Sequence, residues 1–164
     1  MATQAFGALK SEDLLNPAIH LEKSSDIQNV GGGSGTVTYI TWDSEILKDT
    51  GFTHSTSTNT ERVTVADTGR YQLWVNIGIT KGGADRTTFM SHVRANGTTS
   101  ILRGRGRNYT RGTSWANAAV QHHTELDLTA SDYIEIGITV EDSDGVYTNN
   151  TIDAECELIL RRIR

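Results

Sequence analysis

The side chains best suited to chemistry in this chain of 164 residues are five histidines, at 20, 54, 92, 122 and 123, and four arginines at 103, 105, 107 and 111. A hydrolytic site needs a nucleophile, a base and an orienting group within reach of one another. The chain has no Gly-x-Ser-x-Gly elbow, no His-Glu-x-x-His pair and no lysine-bearing phosphate loop. Gly31-Gly-Gly-Ser-Gly35 lacks the lysine that would reach a phosphate, so it reads as a flexible connection. The histidines are scattered over separate segments. His122 and His123 are neighbours that an extended strand sends to opposite faces, so that geometry cannot bring both to one metal. Asp142-Ser-Asp144-Gly145 offers hard oxygens two residues apart but lacks the remaining ligands and the distal glutamate of a calcium loop, and it reads as a turn. The expectation is no catalytic residue, no metal and no cofactor, hence no enzyme.

The arginines are the densest basic feature. Gly104 and Gly106 alternate with Arg103, Arg105 and Arg107, which lets three guanidinium groups project from one side of an extended segment. That arrangement suits bidentate pairing with phosphate or carboxylate. With Tyr109, Arg111 and Trp115 they form the candidate anion or ligand contact. The plainer alternatives are a solvated loop, or a loop paired with acidic residues of a neighbouring copy such as Glu141, Asp142 or Asp144. Nucleic acid is not the expected partner. The net charge is -5, from 15 basic and 20 acidic residues, and the patch has few interleaved aromatics.

The elements that must position these groups read as strands. Ile19 and Leu21, Val37 and Tyr39, and Val63 and Val65 alternate with polar residues, as half-buried strands do. Longer runs follow at Tyr71 to Ile79, Ile134 to Val140 and Cys156 to Leu160. Turn chemistry separates them at Asp67-Thr-Gly69, Gly82-Gly-Ala-Asp85 and Asn96-Gly97, the last being the sharpest hairpin signal. No helical stripe appears after residue 17. Residues 1–17 differ: Phe6, Leu9, Leu14 and Leu15 are irregularly spaced ahead of Pro17, an N-terminal arm that reads either as a frayed terminus with a short helical turn or as a docking segment that orders on a partner. The predicted organisation is therefore an arm, 1–17, and one all-β antiparallel domain, 18–164, built as a sandwich or a barrel. The lone Cys156 has no internal disulfide partner, and no stretch approaches the roughly 18 apolar residues that span a bilayer, so no membrane is expected.

Trp42-Asp-Ser-Glu45, Asp49-Thr-Gly-Phe-Thr-His54, Ser57 to Val65 and Asp67-Thr-Gly-Arg-Tyr-Gln-Leu73 together resemble the jelly-roll head shared by tumour necrosis factor and the complement-type globular domains. The Gly69-Arg-Tyr71 step into a long strand, the later Asn96-Gly97 and the turn Leu128-Thr-Ala-Ser-Asp-Tyr-Ile134 follow that family's order of landmarks. The resemblance covers about residues 18–163. The chain departs from the family at its end, where Arg161, Arg162 and Arg164 replace a common aromatic-glycine step.

Such a head implies a homotrimer whose contact is the sheet carrying the Gly-x-Tyr strand. If Tyr71, Leu73, Val75 and Ile77 fill the core, Gln72, Trp74 and Asn76 point the other way, as does Glu135 between Ile134 and Ile136. These four are the expected trimer contacts, because a lone outward Trp needs cover; the alternative is that a loop of its own subunit covers Trp74. The start of the sequence has no export signal, so the expected site of synthesis is a host cytoplasm. For a trimeric jelly roll of this kind the expectation is a virion part: a bacteriophage capsid decoration, or cement, protein. Its arm residues Phe6, Leu9, Leu14 and Leu15 would dock on the major capsid protein. The alternative is a receptor- or glycan-binding head of a tail fibre or spike.

Overall fold

The computed structural model describes residues 16–24, 28–30, 35–82, 86–98, 105–110, 116–142 and 150–164. The arm residues Phe6, Leu9, Leu14 and Leu15, together with Arg103, Arg111, Trp115 and Asp144, lie outside them.

Thirteen strands occur among the described residues: β1 (Ala18–Lys23), β2 (Gln28–Asn29), β3 (Val37–Tyr39), β4 (Ser44–Lys48), β5 (Phe52–Thr53), β6 (Arg62–Val65), β7 (Gly69–Lys81), β8 (Thr87–Ala95), β9 (Arg107–Thr110), β10 (Ala116–Leu128), β11 (Tyr133–Asp142), β12 (Thr151–Ile152) and β13 (Cys156–Arg162). They form two antiparallel sheets. The larger carries β4, β1, β13, β7 and β10 side by side, with β12 and β2 continuing beside the far end of β7. The smaller runs β5, β6, β11, β8, β9, with β3 also paired to β11. This is the all-β jelly-roll sandwich expected from the sequence.

The period-two pattern explains the burial. Tyr71, Leu73, Val75, Ile77 and Ile79 of β7 are buried, as are Ile134, Ile136, Ile138 and Val140 of β11 and Cys156, Leu158 and Leu160 of β13. They meet Trp42, Phe89, Val120 and Leu126 in one core. At about 1.5–3 kcal/mol for each large apolar side chain, this layer outweighs any surface ion pair as the source of stability. Tyr71 also closes the entry to β7: its ring meets Phe52 edge-on at 6.0 Å, and its hydroxyl donates to the Asp67 carbonyl at 2.6 Å.

The basic end is built into the sandwich. Arg162 donates to Asp67 Oδ2 at 3.0 Å and to the Thr68 carbonyl at 2.9 Å, and the Ile163 amide bonds the Arg70 carbonyl at 2.8 Å. Gly69 is required where the chain end passes, since a Cβ there would run into the Arg164 carbonyl.

Candidate functional site

The outer face of the larger sheet is laid out by strand register. His123 of β10 lies opposite Trp74 of β7, Trp74 opposite Ile159 of β13, Ile159 opposite His20 of β1, and His20 opposite Leu47 of β4. Because directly opposed residues share a face, these five make one row across the sheet. Trp74 is 58% exposed and stacks on His123 with ring centroids 5.3 Å apart. Leu47, at the far end, is 47% exposed, and its neighbour Ile46 is exposed beside a register shift between His20 and Leu21. A surface depression beside the indole is lined by Trp74, Asn76, Gln121, Glu157 and Ile159.

Polar rows flank the apolar one. On one side stand Gln121, Asn76, Glu157, Glu22 and Ser44; on the other, Glu125, Gln72 and Arg161, ending at Ala18. An apolar stripe bounded by polar rows has the make-up of a protein contact with a hydrophobic centre and a wet rim. Gln72, Trp74 and Asn76 thus occupy the outward positions that the sequence predicts.

Glu135 does not join them. It belongs to β11 in the smaller sheet and is 0% exposed. Register places it opposite Arg62 on one side and Arg94 on the other. Arg62 Nε donates to Oε1 at 3.3 Å, and Arg94 Nε donates to Oε2. The guanidinium of Arg94 lies 3.6 Å from the Tyr39 ring centroid, and that of Arg62 lies 4.7 Å from the Tyr133 centroid. Alternation separates Glu135 from the core-facing Ile134 and Ile136, but it does not say which sheet carries the residue or that Arg62 and Arg94 cover it. The carboxylate is a structural anchor, and its assignment to the contact face of the larger sheet is corrected.

Of the candidate anion residues, Arg105, Arg107 and Tyr109 are described. Arg107 and Tyr109 are exposed on β9, where Tyr109 is 53% exposed. Arg107 Nη2 lies 3.0 Å and Arg105 Nη1 4.0 Å from Met90 Sδ, so both side chains lean on the thioether. Gly106 between them serves packing: a Cβ there would run into the Gln121 carbonyl and sit 2.8 Å from Ser91 Oγ.

The remaining histidines hold the scaffold. His54 Nδ1 lies 2.9 Å from Glu45 Oε1 and Nε2 3.1 Å from the Thr60 carbonyl. His92 Nε2 meets Thr139 Oγ1 at 2.6 Å, and burial, with Arg105 nearby, pushes its pKa below the ordinary value. His122 faces inward and His123 outward, as alternation requires. His122 Nδ1 lies 3.1 Å from Ser91 Oγ, which also accepts the Gly106 amide at 2.8 Å. That serine is buried and ties β8 to β10 and to the segment leading into β9, the opposite of an accessible nucleophile. Cys156 is equally withdrawn: burial raises its thiol to about 11, far from the thiolate a nucleophile needs.

Sequence reasoning missed the partners of Trp74. Ile159, His20 and Leu47 each sit on an alternating strand, but only pairing register puts them in line with the indole.

No family model matches the chain, and no curated protein matches it in sequence. Solved structures do match in shape. A structure of murine APRIL superposes with a TM-score of 0.62 at 16% identity, covering 90% of this chain and 99% of that one. The globular domain of zebrafish complement 1qA superposes with a TM-score of 0.53 at 14% identity, covering 91% and 98%. Identities this low establish shape alone, and what this chain shares with the tumour necrosis factor-type and complement 1q-type heads is their jelly-roll fold.

Proposed function

We propose that the chain is a non-enzymatic head that assembles as a homotrimer through the outer face of its larger sheet. The observation that carries this reading is the exposed Trp74 at the centre of the row His123, Trp74, Ile159, His20 and Leu47. An indole is the side chain most often found at the energetic centre of protein contacts. Light scattering at micromolar concentration is expected to give three times the 17.9 kDa chain mass. A monomeric mass overturns the reading.

The finer reading is decoration of a bacteriophage head. The trimer, made in the host cytoplasm and carried in the virion, reinforces the shell by binding the major capsid protein through Phe6, Leu9, Leu14 and Leu15. Support comes from the apolar character of this arm directly ahead of β1 and from the gain that three linked arms bring over one. Each arm side chain that becomes fully buried contributes about 1.5–3 kcal/mol before ordering costs. Deleting residues 1–16 is expected to leave a folded trimer that no longer binds particles. Retained binding would show that the arm is not the anchor.

A second reading, a receptor- or glycan-binding head, is favoured by Tyr109, an exposed aromatic beside the exposed Arg107 on edge strand β9. An aromatic platform next to a cation suits a sugar ring carrying acidic groups. Binding on a glycan array that is lost in Tyr109→Ala would select this reading over reinforcement of a shell.

A further inference from the structure

On the outer face of the larger sheet, one row away from Trp74, two carboxylates are placed against each other. Glu22 of β1 and Glu157 of β13 are directly opposed in register and share the outward face. Like charges in that position repel, and a cation held between them would relieve the repulsion. Lys23 does not supply it, because its side chain is buried and its ammonium bonds Thr41 Oγ1 at 3.3 Å. Among the described residues the basic group within 4.0 Å of the Glu22 carboxylate is the His20 ring, 3.9 Å away, and no ion pair involves Glu157. The third group is His20 itself, two residues along β1 on the same face. Its Nε2 is shielded from solvent and has no hydrogen-bond partner, although it faces Glu22.

We propose that His20 Nε2 and one carboxylate oxygen each from Glu22 and Glu157 form a binding site for a first-row divalent transition metal. The three donor atoms lie within 4.8 Å of one another. Tetrahedral zinc with bonds of about 2.0–2.1 Å holds its ligands about 3.3 Å apart, so modest rotation of the two glutamates closes the set. An imidazole nitrogen disfavours calcium and magnesium, which take oxygen ligands, and it selects zinc or its neighbours in the first row. Three protein ligands leave an outward position for water or for a group from another molecule. A metal here relieves the opposed carboxylates and gives the orphaned imidazole nitrogen its partner.

The test is calorimetric titration of the full chain with Zn2+ alone, with Mg2+ as the contrasting ion and thermal melts in parallel. The expected result is saturable binding of one Zn2+ per chain and a melting temperature that rises with Zn2+ concentration but not with Mg2+. His20→Gln and Glu157→Gln are expected to abolish both effects. Without metal, Glu157→Gln is expected to melt no lower than the parent, because it removes repulsion. Zn2+ binding and melting shifts that persist unchanged in both variants, or their absence from the parent chain, overturn the proposal. The titration counts metal per chain, so a monomeric mass, which would sink the homotrimer, leaves this test intact.

Discussion

Glu135 shows how much one carboxylate can hold when it is withdrawn from water between two guanidiniums. Replacing it with glutamine leaves Arg62 and Arg94 facing each other across β11 with one fewer charge between them. Hydrogen bonds to charged groups contribute about 1.5–3 kcal/mol, so Glu135→Gln is expected to lower unfolding free energy by about 1–3 kcal/mol. Arg62 retains solvent contact, which keeps the cost below that of a fully buried triad. Urea denaturation checks it. His92 carries a pH dependence of definite sign. Its folded pKa lies below the ordinary value of 6.5, through burial first and Arg105 and His122 next, with Glu141 opposing. The folded state therefore disfavours the proton: this contribution to stability is complete above about 6.5 and declines as pH falls toward the depressed value. Glu45 has the same sign in a lower window. The Lys48 hydrogen bond holds its carboxyl below 4.5, so its contribution is lost only in stronger acid. Comparing urea midpoints at pH 7 and pH 5 separates the two, and His92→Gln is expected to reduce the drop between them. At this scale the sequence revealed which residues alternate away from the core-facing positions, Trp74 and Glu135 alike. It did not reveal that one lies on the larger sheet and the other on the smaller, covered by Arg62 and Arg94, because period two encodes parity and carries no partner.

Element by element, strands with an apolar period were legible, even the short β3 and β6, and those without one were not, including the 9-residue β8 and the 13-residue β10, whose runs are interrupted by Ser91, His92, His122 and His123. β7, β11 and β13 announce themselves through five, four and three alternating apolar residues, each set buried. β2, β5 and β12 have two residues each and no period to read; they exist because neighbouring backbone offers them hydrogen bonds. Asn96 and Gly97 do form a turn, with φ of 53° and 69°, and the Thr98 amide bonds the Ala95 carbonyl at 3.0 Å. The partner strand β9 begins only at Arg107, so the turn opens a longer connection than the dipeptide alone suggests. Gly137 exposes another element-level dependence. β3 lies beside β11 with Tyr39 opposite Gly137, and a Cβ at that position would run into Val37 Cγ1 and sit 3.2 Å from the Tyr39 ring. Gly137→Ala is therefore expected to push β3 away from β11 or to displace the Val37 and Tyr39 side chains. The expected cost is about 1–3 kcal/mol, typical of overpacking, with faster amide exchange in β3 as its local signature. Unchanged exchange there would mean that the neighbouring side chains absorb the methyl group.

For the whole molecule, the decisive question is what covers the outer face of the larger sheet. A row containing Trp74, Ile159 and Leu47 would be held in water by a monomer, whereas a trimer can bury it without disturbing the core, since none of these side chains enters the sandwich. The two arrangements respond oppositely to Trp74→Glu. If the face is bare, the substitution exchanges an exposed apolar group for an exposed charge, and neither mass nor melting temperature should move much. If it is a three-fold contact, three new carboxylates are forced together in a desolvated centre beside Glu157. Truncation of a central interface tryptophan commonly costs 2 kcal/mol or more, about thirtyfold in affinity per contact, and the added charge makes the loss larger. The expected outcome is a folded monomer by light scattering, with a β-sheet circular dichroism spectrum like the parent's and a melting temperature that depends less on protein concentration. Arg107→Ala, on an edge strand of the opposite sheet, serves as the control and should leave the trimer mass in place. A trimer that survives Trp74→Glu would place the contact elsewhere on the molecule, and the indole row would then need a different partner.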